Sequence, residues 1–235
     1  MIKEAMQYLL GLGTVEKHTI GEQVFSDKPL HLVKEQTAAP LEVRNLGGLV
    51  DYLRANFDNQ PPVLIQVKSP TEVNVYSTFN RDMARNHLIK AEALLPSIPF
   101  KQFLDIEEFN ILLQSCFVEN IDRANVLRII GNIKEDAVRT IGDNGISQEV
   151  TVKSGVATVE AIPVPNPVKL KPFRTFVEIV QPESSFVFRM QKGPTAALFE
   201  ADGGEWKLQA IRSIREYLDE QLAEEIAHSK VTIIS

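Results

Sequence analysis

The amino-acid sequence predicts an α+β fold in which antiparallel β meanders are covered by amphipathic helices. Two observations carry this prediction. Residues 63–117 have the pattern of three strands joined by turns and followed by a capped helix, and residues 174–222 repeat that order of elements. A meander that buries one face needs a covering layer, and we expect the helix that follows the first meander to supply it.

The composition excludes several classes of protein. Of the 235 residues, 44% are hydrophobic and 24% are charged, as in ordinary soluble domains. A net charge of −6 gives no overall attraction to DNA or to anionic membranes. The N-terminus lacks the apolar segment of a signal peptide, no apolar run approaches membrane-spanning length, and Cys116 is the single cysteine. We therefore expect a soluble, cytoplasmic protein without disulfides or membrane association.

The first 60 residues predict a short helix, a hairpin and a second helix. We expect the first helix at residues 2–10. The hairpin is expected from two alternating stretches, His18–Phe25 and Leu30–Lys34, which are separated by the turn-forming sequence Ser-Asp-Lys-Pro. Asn45 can cap the second helix, which ends at a Pro-containing breaker. Close packing against a sheet would explain the glycine pair that follows Asn45.

Residues 63–133 predict the first meander and two helices. The expected strands are Val63–Lys68, Val73–Phe79 and His87–Leu95. Asp105 and Glu108 have the spacing of a capping box at the start of the next helix. That helix carries Cys116 in its apolar stripe, which indicates a buried thiol, and another helix is expected from Asp122 to Ile133.

A boundary is expected near the middle of the chain. Residues 149–153 and 156–162 have the pattern of a hairpin, and four prolines follow between Pro163 and Pro172. We place an N-terminal α+β half at residues 1–140 and a C-terminal meander with a long helix at residues 141–235. One continuous domain remains the alternative.

The C-terminal half predicts a second meander and a terminal strand. Alternation over 174–180, 186–190 and 196–199 indicates three strands, and Asp202-Gly203-Gly204 forms a turn into the long helix. The last turns of this helix are acidic, which is unfavourable to the helix dipole. These acids could form a surface for a basic partner, or they could simply be exposed to solvent. The apolar ending VTIIS is expected to join a sheet edge, in its own chain or in a neighbouring subunit.

The shared order of elements suggests an internal ββ(β)α duplication. Pro70 and Pro182 hold matching places in the two units. Sequence identity between the units is very low, so two independent meander-plus-helix units explain the pattern as well. Tandem units of this kind occur in ring and clamp architectures.

If the protein has a ligand-binding or catalytic site, we expect it in the C-terminal block, where acidic residues, arginines and the backbone amides of two glycines lie close together. The four histidines lack metal-ligand spacing, so we expect no metal and no cofactor, and we assign no catalytic residue. An anionic ligand would be held by arginines, carboxylates and the amides at a helix N-terminus. The alternative is a structural set of salt bridges. The candidate residues are Arg174, Glu178, Arg189, Glu200, Asp202, Gly203, Gly204 and Trp206.

A short basic segment offers a second kind of site. Lys169, Lys171 and Arg174 flank Phe173, and basic residues beside an aromatic ring can hold single-stranded nucleic acid. Three positive charges on an acidic chain are a thin basis for such binding, so nucleic acid is not the favoured partner.

The C-terminal block resembles a known family. The residues PFRTFVEIVQPESSFVFRM at 172–190 and ALFEADGGEW at 197–206 look like the signature of the YfdQ-like family of tailed phages and prophages. The resemblance covers about residues 160–222 and is loose upstream. It implies a phage or prophage gene product made in the host cytoplasm, and it carries over no catalytic residue.

Three functions follow as hypotheses. The leading one is a non-enzymatic, self-associating phage accessory protein that contacts a host or phage protein, in an early or counter-defence role. The alternative is a clamp-like or single-strand-binding factor of nucleic-acid transactions. The third is an enzyme or binder of a small anionic ligand.

Overall fold

The computed structural model describes residues 2–11, 13, 15–20, 23–26, 36–131, 140–143, 148–154, 158–191, 193 and 195–235. The chain divides into two compact units, Met1–Thr37 and Ala38–Ser235.

The described residues form six helices and fourteen strands. In chain order, the helices are α1 (Ile2–Gly11), α2 (Leu46–Ala55), α3 (Ile106–Cys116), α4 (Ile121–Gly131), α5 (Glu205–Gln221) and α6 (Ala223–Ala227). The strands are β1 (Lys17–Ile20), β2 (Gln23–Ser26), β3 (Leu41–Val43), β4 (Val63–Ser69), β5 (Glu72–Phe79), β6 (Arg85–Glu92), β7 (Leu104–Asp105), β8 (Thr140–Asp143), β9 (Gln148–Ser154), β10 (Thr158–Val164), β11 (Val168–Leu170), β12 (Ser184–Gln191), β13 (Thr195–Glu200) and β14 (Val231–Ile234).

The first unit contains α1 and a hairpin. β1 and β2 are antiparallel, with His18 opposite Phe25. The prediction of one strand over His18–Phe25 is therefore wrong, because this stretch folds back on itself. The predicted partner strand Leu30–Lys34 lies outside the described residues.

The second unit is built on a five-stranded mixed sheet in the order β14-β4-β5-β6-β3. The three central strands form the predicted antiparallel meander. β14 lies parallel to β4, and β3 lies parallel to β6. The predicted α+β class is confirmed.

Two smaller sheets complete the second unit. One has the order β11-β12-β13-β7 and is antiparallel throughout. The other has the order β10-β9-β8, and its β9 and β10 are the two predicted strands, paired antiparallel. Among the helices of the described ranges, none has both the length and the apolar character that a bilayer span requires.

The two main sheets exchange their covering helices. α3 follows the first meander but packs on β13 and β7, where Phe109 and Leu113 join the core that contains Phe186 and Phe188. α5 follows the second meander but packs on β4, where Ile214 joins the core of the five-stranded sheet. The expectation that α3 covers the meander before it is wrong, because an amphipathic stripe specifies burial and not the surface that buries it.

The caps of α2 and α3 follow the sequence signals. The side chain of Asn45 accepts a hydrogen bond from the Gly48 N–H at 3.0 Å, and Asp105 accepts one from the Glu108 N–H at 2.8 Å. A Cβ on Gly48 would lie 2.8 Å from Asn45 Oδ1 and 3.3 Å from the Val43 side chain. Any larger residue at position 48 would therefore clash with the Asn45 cap and with the Val43 side chain.

The segment 172–183, here called the strap, is not a strand. The alternation over 174–180 predicted one, but the strap carries only an isolated bridge between Pro172 and Phe117. Its Phe176 and Ile179 are buried in the core of the five-stranded sheet. The second meander instead begins at β11, so the matched strand and Pro182 turn of the proposed duplication do not exist in that form.

The strands of both predicted halves pair with each other. Ala196 of β13 lies opposite Leu104 of β7, and Val231 of β14 lies opposite Val63 of β4. Residues before and after position 140 therefore share two sheets. The terminal strand joins an edge of its own chain.

Candidate functional site

Arg174 is the centre of a polar cluster that joins the strap, the second meander and α5. Its side chain is buried, with the residue 6% exposed. One Nη donates to Glu200 Oε1 at 3.2 Å, and the other donates to Ser184 Oγ. The guanidinium carbon lies 3.9 Å from the centre of the Trp206 ring, which is cation–π geometry.

Asp202 completes the cluster at the start of α5. Ser184 Oγ donates to Asp202 Oδ2 at 2.5 Å, and the Gly204 N–H donates to Asp202 Oδ1 at 3.1 Å. Gly203 and Gly204 have φ values of 62° and 85°, a region that favours glycine. The Gly204 amide that was predicted to bind an external anion is therefore occupied by the carboxylate of Asp202.

The electrostatics of the cluster follow from burial and from these hydrogen bonds. Desolvation lowers the pKa of Arg174 to about 10, against the opposing effect of Asp202 and Glu200, so Arg174 remains cationic at neutral pH. Desolvation would raise the pKa of Asp202, but the Ser184 hydroxyl, the Gly204 amide and the charge of Arg174 give a net lowering. Both groups are therefore charged in the folded protein near neutral pH.

Glu178 lies apart from this cluster and caps a different helix. Its Oε1 accepts hydrogen bonds from the N–H of Leu46 at 2.7 Å and of Gly47 at 3.1 Å. A carboxylate at a helix N-terminus satisfies free amides and complements the dipole. Glu178 thus attaches the strap to α2, with Asn45 supplying the cap for the third amide.

Arg189 also lies apart from Arg174. It is on β12 opposite Ala197, whereas Glu200 on β13 lies opposite Phe186. The two positions are three residue pairs apart along the ladder. Of the eight candidate residues, the contacts above bring together Arg174, Glu200, Asp202, Gly204 and Trp206, with Gly203 in the connecting turn.

A shallow polar pocket of about 250 Å³ lies beside the cluster. Among the described residues that line it, Lys169 is the one cation and three are carboxylates, so the pocket disfavours an anion. Its lining residues are Lys169, Glu183, Ser184, Ser185, Asp202, Glu205, Trp206 and Gln209. Within the part of the chain that the structure describes, no group of three His, Cys, Asp or Glu residues is arranged to hold a metal ion.

The residues of the basic segment predicted to bind nucleic acid mostly form contacts within the chain. The backbone of Lys169 accepts a hydrogen bond from Asn120 and donates one to Asp122, both at 2.7 Å. Lys171 Nζ lies 3.8 Å from a Glu183 carboxylate oxygen.

The other two residues of that segment are similarly engaged. The Phe173 N–H donates to the Cys116 carbonyl, and Arg174 is buried in the cluster. Of the three basic side chains, only that of Lys169 is on an exposed residue.

Ser184 and Gln181 are buried polar residues that the sequence did not predict. Ser184 bridges Arg174 and Asp202. Gln181 is 5% exposed and bonds the strap backbone at several points. Both are polar residues in a Gln-Pro-Glu-Ser-Ser stretch that has the composition of a turn, and no local signal marks them as buried.

Replacing Arg174 tests whether the cluster stabilises the fold. We expect Arg174→Met to lower the free energy of unfolding by about 2–4 kcal/mol, because it removes the cation that pairs with Glu200 and stacks on Trp206. Arg174→Lys keeps the charge and should lose about half as much. Urea unfolding followed by Trp206 fluorescence measures both variants.

The matched control is Arg212→Met on the exposed side of α5. This variant should stay within about 0.5 kcal/mol of the wild type. Equal stabilities for the Arg174→Met and Arg212→Met variants would show that the cluster contributes nothing to folding.

Comparison of the chain with protein-family models, with curated proteins and with solved structures gives no match.

Proposed function

We propose that this protein acts through protein contacts and not by catalysis, and that it self-associates through the outer edge of β14. The observation that supports this proposal is the geometry of that edge. β14 is the end strand of the five-stranded sheet, and no strand of the described ranges lies beyond it.

The parallel register decides which backbone groups of β14 are used within the chain. Val231 lies opposite Val63, and the Val63 N–H donates to the Lys230 carbonyl at 2.8 Å. In this register Thr232 directs its N–H and C=O toward β4. The N–H and C=O of Val231 and Ile233 therefore point away from the sheet.

This edge is self-complementary about a two-fold axis. If two copies of β14 pair antiparallel with Thr232 opposite Thr232, Val231 of each copy lies opposite Ile233 of the other. Each such pair exchanges two hydrogen bonds, so four outward groups on each strand are satisfied. Strand addition of this kind would join two five-stranded sheets into one, and the symmetry would close the assembly as a dimer.

The biological setting of the proposal comes from the resemblance of about residues 160–222, through the blocks 172–190 and 197–206, to the YfdQ-like signature. We infer a phage or prophage accessory protein made in the host cytoplasm. A basic host or phage partner would suit the acidic end of α5.

A charge placed at the proposed axis tests self-association. The Thr232 side chain is exposed, and in the dimer it would face its own copy across a non-hydrogen-bonded pair. Thr232→Lys should weaken dimerisation at least about fivefold, because like charges directly opposite destabilise paired strands. Sedimentation velocity at micromolar concentration measures the change.

Two controls make the test specific to the edge. Thr78→Lys adds the same charge at an exposed position of the central strand β5 and should leave the dimer intact. An equimolar mixture of the Thr232→Lys and Thr232→Glu proteins should restore dimers, because opposite charges then meet. A wild-type protein that stays monomeric at micromolar concentration would refute self-association.

A further inference from the structure

A small pocket lies where β4 and β14 begin, between the end of α2 and α6. Its volume is about 60 Å³, which is room for about one aliphatic side chain. The apolar residues that line it are Tyr52, Leu53, Phe57, Pro61, Val63 and Val231. Phe57 is 86% exposed on its rim.

The surroundings of this pocket are acidic. A neighbouring groove shares Arg54 and Glu225 with the pocket and adds the carboxylates of Glu220 and Glu224. The Arg54 guanidinium is already engaged, because it donates to the carbonyl of Gln221 at the end of α5.

None of the carboxylates at Glu220, Glu224 and Glu225 forms an ion pair with another described residue. Asp58 adds a fourth acid to the rim and accepts a hydrogen bond from Tyr52 Oη at 2.8 Å. Lys230 is the other cation among the described residues that line the pocket. The rim thus combines an apolar recess with an excess of negative charge.

We propose that this pocket and its acidic rim bind a segment of a partner protein in which one aliphatic side chain lies next to lysine or arginine. The aliphatic group would fill the recess between Leu53 and Val231. The basic groups would lie against the carboxylates of Glu220, Glu224 and Glu225. Among the described lining residues, the competing cations are Arg54, which is shared by the groove and the pocket, and Lys230 in the pocket. Phosphate-bearing partners are disfavoured by the same charges.

This inference rests on the proposed function in protein contacts, but it does not depend on self-association. The pocket lies at the start of β14, and no residue after Val231 lines it. The proposed two-fold axis is perpendicular to the sheet and passes between the two facing copies of Thr232. A single copy of the chain therefore contains the whole pocket.

Peptide titrations test the chemistry of the proposed partner. The probe is a blocked peptide Gly-Lys-Lys-Leu-Lys-Lys-Gly, titrated into the ¹⁵N-labelled full chain and followed by amide shifts. We expect shifts concentrated at Leu53, Phe57 and Val231. The same peptide with alanine in place of leucine should bind about tenfold more weakly. A peptide with glutamate in place of every lysine should not bind.

Charge-matched variants test the rim. The double variant Glu220→Gln with Glu224→Gln should weaken binding of the leucine peptide about three- to fivefold. The control is Glu107→Gln with Glu108→Gln, which makes the same change in net charge on exposed residues of α3 and should bind like the wild type.

Three results would overturn the proposal: equal binding of the leucine and alanine peptides, equal effects of the two double variants, or shifts that map elsewhere. The titration is repeated on the Thr232→Lys protein, where binding should be unchanged. Loss of dimers with retained peptide binding would separate this inference from self-association, and dimers without peptide binding would refute the pocket alone.

Discussion

Replacing Gln181 by alanine is expected to lower the free energy of unfolding by about 4 kcal/mol. The Gln181 side chain supplies hydrogen bonds that a strand partner would otherwise give to the strap. Its Oε1 accepts from the N–H of Arg174 at 3.0 Å and of Thr175 at 3.3 Å, and its Nε2 donates to the Phe176 carbonyl at 3.0 Å. Alanine would leave the N–H groups of Arg174 and Thr175 without a partner, and the Phe176 carbonyl would keep only the long bond from the Ile179 N–H at 3.4 Å. Each unsatisfied buried group costs about 1–3 kcal/mol.

Urea unfolding followed by far-ultraviolet circular dichroism measures this loss, with Gln191→Ala as the control. Gln191 is exposed at the end of β12, so its replacement should cost less than about 0.5 kcal/mol. A Gln181→Ala protein as stable as the control would mean that the strap does not depend on this side chain.

The contacts of the strap explain why its residues include so many polar and aromatic side chains. Thr175 Oγ1 donates to the Pro70 carbonyl at 2.5 Å, and Glu178 caps α2. Arg174 reaches Glu200 and Ser184 in the other direction. One short segment therefore ties the turn of the first meander, α2 and the second meander together.

The second large loss of stability is expected where a substitution leaves a cavity between α3 or α5 and the sheet that the helix covers. Leu113 on α3 and Leu218 on α5 are fully buried. Leu113→Ala and Leu218→Ala should each lower the free energy of unfolding by about 3 kcal/mol, because each leaves a cavity in a packed core. The location of the damage distinguishes the two variants.

Native-state hydrogen exchange should locate that damage on the sheet that each helix covers. Leu113→Ala should raise amide exchange most in β12 and β13, which share its core, although α3 follows the other meander. Leu218→Ala should raise exchange most in β4 and β5. The opposite pattern, with each variant loosening the meander before its own helix, would contradict the exchanged arrangement.

The sequence predicted the elements whose signals are local. The meander β4-β5-β6 and the strands β12 and β13 follow from alternation between turns. The caps at Asn45 and Asp105 were predicted because their partners lie three residues away. The sequence did not reveal that β1 and β2 are two paired strands, since alternation runs through both.

The candidate site was predicted in part for a related reason. Arg174, Glu200, Asp202 and Trp206 meet as expected from their place in one block, with Ser184 as the bridge that was missed. Glu178 is on the same block but binds Leu46 and Gly47 at the start of α2, which precede it by more than 130 residues. Such a contact depends on where two elements that are distant in sequence pack together, so it cannot be predicted from residue spacing.

The sequence therefore determines the α+β class, the central meander and the amphipathic helices, because residue periodicity and nearby caps decide them. Only the tertiary structure decides that α3 and α5 cover each other's sheets and that the strap replaces a strand. A buried stripe gains the same free energy against any complementary apolar surface. A segment with the pattern of a strand can stay outside a sheet where side chains such as Gln181 form the hydrogen bonds that its backbone needs. The conformation of the strap and the placement of α3 and α5 therefore both depend on tertiary contacts.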